Sequence, residues 1–161
     1  MADISVSERE HGPAGESIQS WTTMITLTGA KDLALNPAAN LTGYVGRITA
    51  GYEKHCPSTY ALNPLGPKVI DGHDAFAAVV SCGNVTEGTT SHSETAIILG
   101  IKGTSDYYTL QWAERGAASD KPLNLRAEYW TARIGQLDPV RLCPIIPGER
   151  APYPSCINKK R

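Results

Sequence analysis

The sequence lacks every cysteine arrangement that marks a metal or redox site. It contains no CxxC pair and no zinc-finger spacing, although it has four cysteines, Cys56, Cys82, Cys143 and Cys156. An even number of widely spaced cysteines is typical of disulfides formed in an oxidising compartment. We therefore expect two disulfides and a location in the periplasm or outside the cell.

Four cysteines can pair in three ways. We favour Cys56 with Cys82 and Cys143 with Cys156, because each pair closes a modest loop and the second would hold the Pro-rich tail, residues 144–161. On the chain-entropy model each bridge would stabilise the fold by roughly 3 to 4 kcal/mol. Two alternatives stay open. The four thiols could be buried in a cytosolic protein, or they could bind zinc together with one of the histidines, His11, His55, His73 or His92.

Long apolar runs and an excess of charge are also missing. No run approaches the roughly 20 apolar residues of a membrane helix, so we expect no integral membrane segment. Lys plus Arg is 15 and Asp plus Glu is 16, so the chain lacks the basic character that nucleic-acid binding requires. The N-terminus has no basic region followed by an apolar one, so no signal peptide is visible. Because the cysteines nevertheless indicate an oxidising compartment, we expect the mature region of an exported protein, carrying an added start methionine.

No linear catalytic motif is present. The sequence has no GxSxG, P-loop, GxGxxG, HExxH or EF-hand pattern, and nothing in it implies a cofactor. The strongest polar cluster would combine residues before one buried strand with residues at the start of the next: Asp71, His73 and Asp74, with His92 and Glu94. If these strands pair, the cluster could form a metal site or the acid–base pair of a small hydrolase. The alternative is a polar turn.

The pattern of apolar residues predicts the elements. Strands are expected in residues 20–28, 58–63, 75–82, 95–102 and 107–114, with a turn at 64–67 and a polar loop at 83–93. One helix is expected from Asn36 to about His55, and a second from Asp120 to Leu137. Residues 1–15 are predicted to be an arm or edge strand. The result is an α+β fold, one domain over 1–161, in which two amphipathic helices pack on an antiparallel sheet of about five to six strands.

Several segments together resemble small uncharacterised bacterial proteins that are exported to the periplasm. The segments are Trp21-Thr22-Thr23-Met24-Ile25-Thr26, His55-Cys56-Pro57, Ser81-Cys82, Ser93-Glu94-Thr95, Tyr107-Tyr108-Thr109-Leu110-Gln111 and Leu142-Cys143. The element order is similar to that of PsbP and Mog1-like domains. Most members of that fold are accessory or binding proteins, so the resemblance implies a domain without catalytic machinery.

We therefore interpret the chain as a non-catalytic periplasmic or secreted domain that binds another protein, such as an envelope component or an effector that it inhibits. A hydrolase or metal-dependent enzyme built on Asp71, His73, Asp74 and His92 is the first alternative. The second is a small-molecule carrier with a closed apolar cavity between the sheet and the first helix.

Overall fold

The computed structural model describes residues 6–12, 14–17 and 20–158. The strands are β1 Val6–His11, β2 Thr23–Ala30, β3 Tyr60–Ile70, β4 His73–Glu87, β5 Thr90–Lys102 and β6 Tyr107–Ala117. The helices are α1 Leu41–His55, α2 Ala127–Gln136 and the short α3 Pro154–Ile157, and a 3-10 turn covers Leu33–Leu35. Residues 6–11 of the predicted arm form β1, whereas residues 1–5, 13, 18, 19 and 159–161 lie outside the described residues.

The strands form one antiparallel sheet in the order β1-β2-β6-β5-β4-β3. Residues 78, 80, 96 and 98 pack with Val45 of α1 on one face. Residues 77, 79, 97 and 99 pack with Ile134 or Trp130 of α2 on the other face. Helices cover both faces of β4 and β5, which explains why these two strands read as almost continuous apolar runs. The predicted α+β fold is confirmed.

Helix α1 begins four residues later than its predicted N-cap implies. Asn40, rather than Asn36, caps the helix, because its Oδ1 accepts a hydrogen bond from Gly43 N at 2.8 Å. Leu41, Val45, Ile48 and Tyr52 recur at helical spacing and form the apolar stripe of α1: Val45 is buried, and Ile48 and Tyr52 pack beside it. The stripe itself starts at Leu41, so it marks the true first turn better than the asparagine-proline pair does.

Two connections predicted on β3 and β4 are wrong. Residues 64–67 do not form a turn, because β3 runs through them with a register shift between Pro64 and Gly66. Prolines are tolerated there since β3 is an edge strand, where a missing N–H need not break the ladder. Residues 83–93 are not a loop either. They complete a long hairpin whose tip is polar and exposed.

Helix α2 begins at Ala127 instead of following Asp120. The connector before it runs past β4 and β3: Ser119 N donates to Gly83 O at 2.8 Å, and Asn63 Nδ2 donates to Leu125 O at 3.3 Å. The backbone is still extended at Arg126. Residues 118–126 therefore connect β6 to the second face of the sheet, and α2 begins only after them.

Two disulfides join Cys56 to Cys82 and Cys143 to Cys156, with Cα–Cα distances of 5.7 Å in both. This is the connectivity favoured in the sequence analysis. The first bridge is buried and ties the end of α1 to β4. The second closes the tail. All four cysteines are paired with one another, so they are available neither as free thiols nor as zinc ligands.

Candidate functional site

The polar cluster predicted from the sequence does not assemble. Asp71 and Gly72 form the two-residue turn between β3 and β4, with φ angles of 48° and 79°. Positive φ at both central positions is the signature of a type I′ hairpin, which Asp-Gly favours. His73 follows, with its Nδ1 3.2 Å from Lys102 O at the end of β5. These residues therefore form a polar turn.

His92 lies at the opposite end of the sheet, where it pairs with Val85. Lys102 lies ten positions further along β5, which is about 30 Å at the rise of an extended strand. Within the described residues, no group of three or more His, Cys, Asp or Glu side chains could hold a metal ion. The expected convergence of Asp71, His73 and Asp74 with His92 is wrong, because the two strands pair in antiparallel orientation.

Glu94 instead joins a network beside α1. Its Oε2 lies 3.6 Å from Arg115 Nε, and the Tyr52 hydroxyl donates to its Oε1 at 3.2 Å. Arg115 also contacts Glu87 Oε1 at 3.1 Å, and its guanidinium stacks 4.0 Å from the centre of the Trp21 ring. The network borders an open cleft of about 330 Å³.

This network is arranged for packing rather than for proton transfer. Burial, followed by the negative charge of Glu94, raises the pKa of Tyr52 far above its ordinary range. The phenol therefore stays protonated and serves as a donor. Glu94 Oε2 is paired with the Arg115 guanidinium. Tyr52 does not have the properties of a general acid or base that operates near neutral pH.

The three tryptophans pack against the fold. Trp21 lies beside the α1 core and Trp130 is buried with Val79 and Ile97. Trp112 packs near Trp130, and its Nε1 donates to Glu114 Oε1 at 3.0 Å. Core packing therefore accounts for all three side chains.

A different feature stands out at the C-terminal end, in residues 143–157, which we term the disulfide loop. Ile145 is 94% exposed and Ile157 is 55% exposed. Ile146 and Tyr153 are also exposed. Large apolar side chains grouped on one short segment are uncommon on the surface of a soluble domain, and such patches mark interaction sites.

The disulfide loop is held in shape by its own contacts. Besides the Cys143–Cys156 bridge, Arg141 Nη1 donates to Cys156 O at 2.7 Å and to Ile157 O at 3.0 Å. The Glu149 carboxylate accepts hydrogen bonds from Ser155 N at 2.8 Å and from its hydroxyl. These bonds lower the pKa of Glu149. Just before the loop, Leu142 packs on the sheet.

Sequence reasoning expected a pinned tail but missed its exposed side chains. The available signal was the combination of Ile145-Ile146, Tyr153 and Ile157 with four prolines at 144, 147, 152 and 154. Apolar residues in a segment too rich in proline for a strand or long helix have few ways to be buried. Their exposure could therefore have been anticipated.

No protein-family model matches this chain, and no curated protein matches its sequence. Among solved structures, it is similar to the protein of unknown function PA94 from Pseudomonas aeruginosa, with 13% identity, a TM-score of 0.46, and coverage of 91% of this chain and 88% of that one. A likeness this distant carries no information about function. None of the described helices is both long and apolar enough to span a bilayer.

Proposed function

We propose that this protein is a non-catalytic recognition domain of the periplasm or extracellular space, and that it binds another protein through the disulfide loop. The observation that carries the proposal is the exposure of Ile145, Ile146, Tyr153 and Ile157 on a segment closed by a covalent bridge. A segment that is already ordered loses less entropy on binding, so its apolar contacts contribute more to affinity. Two disulfides are compatible with secretion.

The charge of the C-terminal sequence indicates what kind of partner the disulfide loop suits. Residues 141–161 contain five basic residues, Arg141, Arg150, Lys159, Lys160 and Arg161, and one acidic residue, Glu149. Arg141 and Glu149 both make hydrogen bonds within the loop, so the excess of positive charge comes from Arg150 and the three terminal basic residues. The partner is therefore a protein with an apolar pocket surrounded by carboxylates, because complementary charges raise association rates and select against other partners.

The experiment is a pull-down from envelope and culture fractions with three forms of the folded protein. These are the wild type, the double variant Ile145→Ser/Tyr153→Ser, and the control Leu62→Ser, which removes an exposed apolar side chain of β3. Leu62 pairs with Val80 on the α1 face of the sheet, opposite the face on which Leu142 packs just before the loop. We expect one stoichiometric partner with wild type and control and its loss in the double variant. The complex should also weaken as salt is raised.

Two results would contradict the proposal. A complex that survives Ile145→Ser/Tyr153→Ser, or that is lost equally with Leu62→Ser, would place binding elsewhere. Light scattering on the purified wild type tests a second copy as the occupant: a dimer that Ile145→Ser/Tyr153→Ser dissociates would replace the proposed heterologous partner.

A further inference from the structure

The backbone of Tyr153, in the disulfide loop, adopts a conformation that tyrosine disfavours. Its φ and ψ angles are 55° and 69°, in the left-handed region. There the Cβ of an L-residue crowds the following carbonyl oxygen, so glycine is the residue that usually occupies this region. Among the described residues, the other non-glycine positions with positive φ are Asp32 and Asp71. Aspartate tolerates this backbone because its short polar side chain can hydrogen-bond locally, whereas tyrosine has no such compensation.

The disulfide loop itself shows the usual residue at a comparable position. Gly148 has a φ of 80°, and no atom lies within 4 Å of the point where its Cβ would be. The backbone angle, and not a lack of space, therefore favours glycine there. The same requirement at position 153 is met by a tyrosine. A loop selected only for its own stability would have glycine at both positions.

Hydrogen bonds on both sides of Tyr153 hold its backbone in place. Tyr153 N donates to Arg150 O at 3.0 Å. Tyr153 O accepts from Cys156 N at 2.9 Å and from Ile157 N at 3.1 Å. Cys156 is in turn bridged to Cys143. The surrounding loop thus imposes the left-handed conformation, which is the condition under which a strained residue persists.

The side chain of Tyr153 does not compensate for this strain within the fold. It is 53% exposed, and it belongs to none of the buried clusters formed by the described residues. With Ile145 and Ile146 it borders a concavity of about 410 Å³ in the disulfide loop, so open space and not a packed core lies beside it. Backbone strain without a structural benefit is found chiefly at functional sites.

We infer that Tyr153 is the anchor residue of the disulfide loop: its ring enters the apolar pocket of the protein partner, and its hydroxyl donates to an acceptor in that pocket. This inference rests on the proposed function and names the side chain that determines specificity. Tyrosine combines a large, rigid apolar ring with a polar end that needs a hydrogen-bond partner once it is buried. It is enriched among the few residues that dominate the affinity of an interface.

The first measurement separates the side chain from the order of the loop. Tyr153→Gly relieves the strain, and this gain exceeds the freedom that glycine adds to the open loop. Hydrogen exchange at the amides of Cys156 and Ile157 should therefore slow by about threefold. Gly148→Ala adds strain at the other left-handed position and keeps the ring, so exchange in residues 143–157 should become about threefold faster.

The second measurement gives relative affinities, from capture by each folded variant out of serial dilutions of the envelope and culture fractions. Despite its better ordered loop, Tyr153→Gly should bind about thirtyfold more weakly or worse. Tyr153→Phe keeps the ring and should bind about fivefold more weakly, because it lacks the hydroxyl. Gly148→Ala should stay within about threefold of the wild type, since most molecules still have the ordered loop.

The outcomes distinguish this inference from the proposed function. If Ile145→Ser/Tyr153→Ser loses the partner but Tyr153→Gly binds like the wild type, the disulfide loop is the binding site and Tyr153 is not its anchor. Equal losses in Gly148→Ala and Tyr153→Gly would mean that the shape of the loop, and not the ring, determines affinity. Faster exchange at Cys156 and Ile157 in Tyr153→Gly would show that residue 153 is unstrained. Each of these results overturns the inference. A wild type that captures no partner overturns the proposed function, and the inference with it.

Discussion

Removing the two disulfides one at a time should have very different effects on stability. The bridges close loops of 26 and 13 residues. On the chain-entropy model these loops correspond to about 3.5 and 2.9 kcal/mol of stabilisation through the unfolded state. From loop length alone, the two bridges would be nearly equivalent.

The surroundings of the bridges make them unequal. Cys56 and Cys82 are 4% and 2% exposed, and they hold α1 against β4. In Cys56→Ala/Cys82→Ala the native packing still confines both ends, so the full entropy term is lost together with buried sulfur contacts. We expect the free energy of unfolding to fall by about 3 to 5 kcal/mol, and Tm to fall by about 10 °C for a chain of this size.

In Cys143→Ser/Cys156→Ser the freed segment is exposed, so it gains freedom in the native state as well as in the unfolded state. The two gains largely cancel. We therefore expect a loss below about 1 kcal/mol, accompanied by faster hydrogen exchange in residues 143–157. The lost order should also weaken the complex proposed for the disulfide loop.

Urea denaturation followed by tryptophan fluorescence measures both losses, with hydrogen exchange as the local probe. A loss near the full 2.9 kcal/mol for the tail pair would mean that the loop stays packed without its bridge, and the reasoning would fail. A loss below about 1 kcal/mol for the core pair would show equally that the Cys56–Cys82 bridge does not hold α1 to β4.

Three further predictions test individual contacts. Thr109→Val should raise the free energy of unfolding by about 1 kcal/mol, because it removes an unpartnered buried hydroxyl. Thr49→Val should lower the free energy of unfolding by about as much, since the Thr49 hydroxyl donates to a backbone carbonyl. Urea denaturation that gave both variants a change of the same sign would refute the comparison. Gly100→Ala would place a Cβ 2.7 Å from Val45 Cγ2 and should cost about 1 to 3 kcal/mol; a second change, Val45→Ala, should recover part of that loss, whereas losses that simply add would contradict the clash. Hydrogen bonds from Ser155 hold the pKa of Glu149 below 4.5. Their contribution to loop order is therefore complete above pH 4.5 and is lost as the pH falls through the lowered pKa. A Glu149 carboxyl carbon resonance that titrates at or above 4.5 would disprove this pH dependence.

The sequence was most informative where burial is simplest. Residues 75–82 and 95–102 are apolar on both faces, and the structure covers both faces with helices. The hairpin from β4 to β5 was underestimated because its tip extends beyond both helices. Exposed positions such as Thr86, Thr90 and Ser91 can be polar while the backbone hydrogen bonds of the hairpin continue. Polar residues there show that no helix covers the strands, and they do not show that the strands end.

The direction of the strands could have excluded the predicted polar cluster from the sequence alone. Short connections between adjacent strands make antiparallel pairs, so the first residues of β4 must lie beside the last residues of β5. His73 therefore belongs next to Lys102, and His92 belongs at the far end. Side-chain type suggested a site, but strand direction excludes it. The starts of α1 and α2, by contrast, depend on contacts made by Asn40 and by the connector, which local propensity does not reveal.

The position of the second disulfide argues that the tail serves a purpose other than folding. Packing against the sheet ends with Leu142, and the residues that follow expose their largest apolar side chains. A bridge placed there adds little to the core, but it fixes the shape of residues 143–157. Side chains that are costly to expose, on a segment covalently held in one conformation, are what a rigid recognition surface requires. The same residues on a free tail would have to be ordered by the partner, at the expense of affinity.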